Sequence, residues 1–278
     1  MDCRTISKDE LLSNTKIPIE ILDTEDDIYH DMARVMVETI EENNKNDRNT
    51  VFIVPVGPIF QYRRFARLAN MKKMNLRKVY LFNMDEYLND EGRLLEKSHP
   101  LSFRGLMDKE LYQRLDAACM IPEENRFFPK PDRENEIWEK ITELGGTDVA
   151  FGGIGIRGHI AFNEPPEEDE PVSDQEFRNL ATRVLELNRE TRTINAVTSL
   201  GGYIDGIPKK CITIGMKEIL ASRKIRFYLN REWQRGIVRK ICLGDVTSDV
   251  PASFFQMHGD AKLILASYVA EAPCGRLR

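Results

Sequence analysis

Three side chains in this sequence have the types and spacing of proton-transfer chemistry. His159 lies in Gly153-Ile154-Gly155-Ile156-Arg157-Gly158-His159-Ile160-Ala161-Phe162-Asn163-Glu164-Pro165, directly after the apolar run Val149-Ala150-Phe151. Glycines allow backbone to come close to a ligand, and an imidazole titrates near neutral pH. Glu164, five residues beyond His159, can orient the ring and raise its basicity. Asp85 stands in Leu81-Phe82-Asn83-Met84-Asp85-Glu86-Tyr87, again a carboxylate at the tip of an apolar strand. A histidine and carboxylates at two strand ends form a general acid–base set. The plainer alternatives are a satisfied structural histidine at 159 and a solvated acidic pair at Asp85 and Glu86.

Other chemistries fit less well. Gly153-x-Gly155-x-x-Gly158 matches the dinucleotide-binding pattern. That pattern needs a helix to follow, with its N-terminus facing the pyrophosphate. Pro165 and Pro166 leave little room for one, so no nicotinamide or flavin is expected. His159 and Glu164 are not at a recognised metal spacing and no second histidine lies nearby in sequence, so no metal is expected either. Cys3, Cys119, Cys211, Cys242 and Cys274 are odd in number and not at metal-ligand spacing. They read as free thiols of a reducing cytoplasm.

The elements that must position these groups follow from apolar periodicity. Ile17 to Leu22 reads as a strand, and Thr24-Glu25-Asp26-Asp27 as a helix start with a capping hydroxyl and acids in the first turn. Ile28, Met32, Val35, Met36 and Ile40 continue it at helical spacing. Val51 to Val54 and Val79 to Phe82 are buried-type strands, with a helix over Phe60 to Met71 between them. Pro100 to Leu115 and Glu134 to Leu144 read as helices, and Asp148 to Phe151 as a strand. Lys210 to Ile214, Ile225 to Leu229 and Leu263 to Ala266 are further short apolar runs, with a helix over Glu232 to Ile241. Alternation of this kind predicts an α/β fold, an open and largely parallel sheet with helices on both faces, Rossmann-like. Ligands then gather at the carboxyl ends of strands, so Asp85 and His159 can meet although they are 74 positions apart. Pro165 to Pro171, rich in proline and acid, reads as a solvated loop. No repeat or linker divides residues 1–278, which read as one domain after a polar lead-in over 1–16.

Bulk properties narrow the partners. The net charge is −5, with 31% charged and 41% hydrophobic residues. The order of charges offers no basic face for nucleic acid. No apolar run approaches the roughly 18 residues that span a bilayer, and Met1 to Lys16 is too polar for a signal peptide. A cytoplasmic protein acting on a small molecule is expected, without nucleic acid or membrane, and a homo-oligomer is open.

At its two chemical motifs the chain resembles the glucosamine-6-phosphate deaminase (isomerase) family. Phe82-Asn83-Met84-Asp85-Glu86-Tyr87 is similar to the family's F-N-M-D-E-Y strand end, and Gly158 to Pro165 to its G-H-I-A-F-N-E-P loop. Weaker similarity runs from about Ile17 to Ala266. It includes His99-Pro100-Leu101-Ser102-Phe103, the Ile207-Pro208-Lys209 turn and Val250 to His258. The related 6-phosphogluconolactonases share the fold but lack the A-F-N-E-P continuation. The resemblance implies a deaminase-type fold and a cofactor-free opening and isomerisation of an amino sugar phosphate. His159 would move the ring-oxygen proton, Glu164 would hold His159, and Asp85 would shuttle a proton from carbon 2 to carbon 1 before water releases ammonia. Gly57, Gly155, Arg157, Gly158 and Asn163 are the expected substrate-binding residues.

The chain also departs from that pattern. Arg157 replaces the carboxylate of the family's G-x-D-G-H. The family's hydroxyl-rich phosphate turn is here Pro55-Val56-Gly57-Pro58-Ile59-Phe60, in which Val56 and Ile59 lack hydroxyls and Pro58 lacks an N–H. Two cationic phosphate ligands of the family correspond to Val197 and to about Trp233, with Arg231 or Arg235 as the neighbouring alternatives for the second. These losses predict an altered substrate and poor turnover of glucosamine 6-phosphate, with Arg157 a candidate for a relocated anion anchor. The alternative is a non-catalytic sugar-binding or regulatory protein on the same fold.

Overall fold

The computed structural model describes residues 2–167, 169 and 172–273. Glu168, Glu170 and Pro171 of the acidic loop, and Cys274, lie outside the described residues. The strands are β1 (Ile19–Leu22), β2 (Thr50–Val54), β3 (Val79–Asn83), β4 (Asp85–Leu88), β5 (Arg126–Phe127), β6 (Val149–Gly152), β7 (Arg183–Glu186), β8 (Lys210–Thr213), β9 (Lys224–Leu229) and β10 (Ala261–Ala266). Seven of them form one sheet in the order β1-β10-β9-β6-β2-β3-β5, and every pairing in it is parallel. Central β2 and β6 are buried along their whole length, whereas the edge strands β1 and β5 are only half-buried. Continuous apolar runs therefore occupy the middle of a sheet covered by helices, as a parallel sheet requires.

The helices begin where local chemistry starts them. Thr24 and Asp27 form a reciprocal capping box for the helix Glu25–Lys45. The expected helix over Pro100 to Leu115 is shorter, Phe103–Glu110, followed by a 3-10 turn at Tyr112–Arg114. Its start is fixed by Glu86, whose carboxylate accepts the N–H groups of Phe103 and Arg104, each at 2.9 Å. The helix expected over Glu232 to Ile241 opens as a 3-10 turn, Glu232–Gln234, and continues as Arg235–Leu243.

One apolar run goes elsewhere than the main sheet. β8 pairs with β4 and β7 in a three-stranded antiparallel sheet, order β4-β8-β7. The register sets Asp85 opposite Thr213. The small sheet is tied to the large one where β3 hands over to β4: the Met84 N–H donates to the Val54 carbonyl at 3.0 Å, and its own carbonyl accepts from Ile214 N–H at 2.8 Å. Among the described residues, no helix is long and apolar enough to cross a membrane.

Candidate active site

Four neighbouring strands of the large sheet, β9, β6, β2 and β3, run parallel, so their carboxyl ends share one edge. From that edge leave the turn at 55–59, the Met84-Asp85 step, the 153–159 loop and the 230–234 segment. All four line one cavity of about 540 Å³. Its walls hold Asp85, His159 and Thr191 among many apolar side chains.

The His159 loop is shaped by its own backbone. Gly155 N–H donates to the His159 carbonyl at 2.9 Å, and Gly158 N–H to the Gly155 carbonyl at 2.9 Å. A Cβ added at Gly155 would lie 1.9 Å from His159 Nε2. The glycine thus makes room for the imidazole itself. Gly158 has φ +85°, and a Cβ there would meet Val250 at 2.9 Å. Its place is a left-handed turn packed on Val250.

Asn163 staples this loop to the small sheet. Its Nδ2 donates to the carbonyls of Ile160 and Ile214, at 3.0 and 2.9 Å, and its Oδ1 accepts from Arg183 Nη1 at 2.7 Å. One residue earlier, the Phe162 N–H donates to Thr213 Oγ1 at 3.1 Å. Thr213 is the residue paired with Asp85. The histidine loop and the aspartate strand are therefore both bolted to β8, and that shared support brings them to one cavity.

His159 Nδ1 lies 3.0 Å from Glu164 Oε2, and Thr191 Oγ1 stands 3.5 Å from the same nitrogen. Both Glu164 oxygens are buried with no aligned hydrogen-bond donor, so the contact with His159 is an ion pair when the ring is protonated. Burial works to raise the Glu164 pKa. The His159 charge, with contacts from His159, Thr191 and Asn188, outweighs it and holds the carboxyl below its ordinary value.

The two adjacent acids have separate environments. Asp85 is 7% exposed. Burial, and then the neighbouring Glu86 charge, push its pKa up to about 8. Glu86 is fully buried; burial raises its pKa too, against the opposing bonds from Phe103, Arg104 and Tyr87 N–H groups. Glu86 is a helix cap, and Asp85 is the acid facing the cavity. The rings of Tyr87 and Phe103 pack 4.9 Å apart, and those of Tyr87 and Phe162 5.6 Å apart, closing the side around Asp85.

Of the expected substrate-binding residues, Gly57 and Gly155 line the cavity. Gly158, Asn163 and Arg157 are not among its lining residues. Gly158 serves the turn and Asn163 the loop staple. Arg157 Nη1 pairs with Glu167 Oε1 at 3.0 Å, and neither residue is among the cavity lining. Val197 is 64% exposed and lies outside the lining, while Trp233 is part of it. Sequence reasoning missed Thr191 and Thr213. Thr191 opens the Thr191-Arg192 segment already noted for Val197, and Thr213 is a lone hydroxyl in an apolar strand run.

No family model matches the chain. It is 30% identical over 239 residues to glucosamine-6-phosphate deaminase 1 of Bacillus subtilis, covering 84% of this chain and 90% of that protein. It is 29% identical over 245 residues to a glucosamine-6-phosphate deaminase of Clostridium perfringens, covering 85% of this chain and 93% of that protein. Among solved structures it is similar to a monomeric glucosamine-6-phosphate deaminase of the NagB superfamily, with TM-score 0.77 and 26% identity over 91% of this chain and 99% of the other. A 6-phosphogluconolactonase from Trypanosoma cruzi shares the fold, at TM-score 0.66 and 15% identity over 92% of this chain and 97% of the other.

Proposed function

Because this chain belongs to the glucosamine-6-phosphate deaminase family, we propose that it is a sugar isomerase/deaminase acting on an amino sugar other than the family's usual phosphate ester. The observation that carries this reading is the arrangement of two acid–base groups in one cavity. His159, backed by Glu164 at 3.0 Å, faces the space that Asp85 also faces.

In this reading His159 moves the proton of the ring oxygen as the sugar opens, and Glu164 stabilises the imidazolium. Asp85 takes the proton from carbon 2 and returns it to carbon 1. The enolamine left by loss of the carbon-2 proton becomes an iminium as carbon 1 takes that proton, and water then adds at carbon 2 and expels ammonia to give a ketose. A carbon acid needs a stronger base than an ordinary carboxylate. A carboxyl raised to about 8 supplies one in its ionised form. Each such group contributes about 10²–10⁴-fold.

The lining supports an altered substrate. The turn ending in Ile59 gives the helix Phe60–Lys72 no side-chain cap, and Trp233 stands in the wall.

The test is hydrogen exchange. Incubating the full chain in D₂O with a panel of 2-amino-2-deoxyaldoses should place deuterium at carbon 2 or carbon 1 and release ammonia from at least one member. Asp85→Asn should abolish both. Exchange that persists in Asp85→Asn would refute the assignment. Sugar binding without any exchange in the wild type would favour the non-catalytic sugar-binding alternative.

A further inference from the structure

One wall of the cavity is continuous and apolar. A Cβ placed on Gly153 would lie 4.0 Å from both the Gly57 carbonyl and Pro58 Cδ, and 3.7 Å from the Tyr228 carbonyl. Gln234 Nε2 donates to the next carbonyl, that of Ile154, at 2.7 Å. The 55–59 turn, the 153–154 backbone and the 228–234 segment are thus one surface, faced with Val56, Pro58, Ile59 and Trp233.

Apart from the Trp233 indole N–H, the polar side chains in this surface are already committed. Tyr228 OH donates to Asp31 at 2.9 Å. Asn230 Nδ2 donates to Glu25 at 2.8 Å and to Tyr29 OH at 3.1 Å. Gln234 Oε1 accepts the Arg231 N–H at 2.9 Å. Arg231 is the one Lys or Arg among the described lining residues, and its Nη1 lies 3.5 Å from Glu25 Oε1. Thr198, in the helix Arg189–Ser199 that also lines the cavity, spends its hydroxyl on the Ile194 carbonyl at 3.0 Å. An ionised phosphate against this wall would surrender its hydration for one cation already paired with Glu25 and one uncommitted side-chain donor, the Trp233 indole N–H. A methyl or alkyl group would gain by leaving water.

We propose that this wall receives an uncharged, apolar tail, so that the substrate class is a 2-amino-2-deoxyaldose bearing hydrogen or an alkyl group, and no phosphate, at the end far from carbon 1. This rests on the reading of the cavity as a sugar site. It goes beyond that reading by stating what stands in the place of the phosphate.

Calorimetry on the full chain with three probes tests it: glucosamine 6-phosphate, glucosamine and 2-amino-2,6-dideoxyglucose. The expected order is the dideoxy sugar tightest and the phosphate ester weakest, with at least about a tenfold span in Kd between them. Trp233→Lys combined with Ile59→Thr should reverse the order, with melting curves showing that the variant remains folded. If that variant does not fold, the wild-type order alone decides. Tightest binding of glucosamine 6-phosphate by the wild type, accompanied by exchange at carbon 2, overturns the apolar tail and leaves the isomerase reading intact. No binding of any probe overturns the sugar-site reading, and the tail with it.

Discussion

Replacing Asp85 by asparagine separates what its burial does for chemistry from what it does to stability. The carboxyl is 7% exposed, and its pKa moves from 3.8 in free solution to about 8 in the fold. Below about pH 4 both folded and unfolded chains hold the proton, so there is no penalty. As pH rises from about 4 towards 8, the unfolded chain ionises while the fold keeps the proton, and stability falls. Above about pH 8 the folded carboxyl ionises too and the loss is complete. Each pH unit in that window is worth about 1.4 kcal/mol, so by pH 7 the accumulated loss approaches about 4 kcal/mol. Asparagine has nearly the same shape and does not titrate. Asp85→Asn should therefore match the wild type near about pH 4 and exceed it by about 4 kcal/mol near neutrality, while losing exchange at carbon 2. Urea unfolding at a series of pH values, analysed by linear extrapolation, measures the difference. A stability difference independent of pH would mean that the carboxyl titrates alike in both states. One that shrinks as pH rises would mean that it is paired with a cation. Either result refutes the argument that a desolvated Asp85 is the strong base.

Two further outcomes follow from the loop geometry. Gly155→Ala would place a Cβ 1.9 Å from His159 Nε2, so the ring must move; kcat should drop by about 10²-fold or more, with overpacking costing about 1–3 kcal/mol of stability. Unchanged turnover would show that the ring position is not used. Arg157→Ala should leave ligand affinity within about twofold, because its exposed pair with Glu167 is worth only about 0–1 kcal/mol to stability and does not touch the cavity. A tenfold loss of affinity by calorimetry would return Arg157 to the pocket.

Much of the scaffold was legible because the large sheet is written in long-range-independent signals. The runs at Val51 to Val54, Val79 to Phe82 and Asp148 to Phe151 are apolar without a break, which suits strands buried on both faces. They correspond to β2, β3 and β6. The box at Thr24 and Asp27 is a local exchange of hydrogen bonds, and it capped the helix it implied. The small sheet was not legible. Arg183–Glu186 alternates half-buried and exposed residues and carries no apolar run; it is a strand because β8 pairs with it.

The sequence by itself determined the chemical inventory: an aspartate and a histidine with a nearby glutamate, each following a strand, and a turn over 55–60 without hydroxyls. Residue type and local spacing suffice for that. Only the tertiary structure decided which of these groups share a space. Asp85 and His159 come together because Thr213 and Asn163 tie both their segments to β8, a partner far away in the chain. It also decided that Asp85 is desolvated while the adjacent Glu86 caps a helix, and that Arg157 pairs with Glu167. A carboxylate's basicity and a guanidinium's direction depend on what surrounds them. Those surroundings are assembled from segments that no local pattern relates.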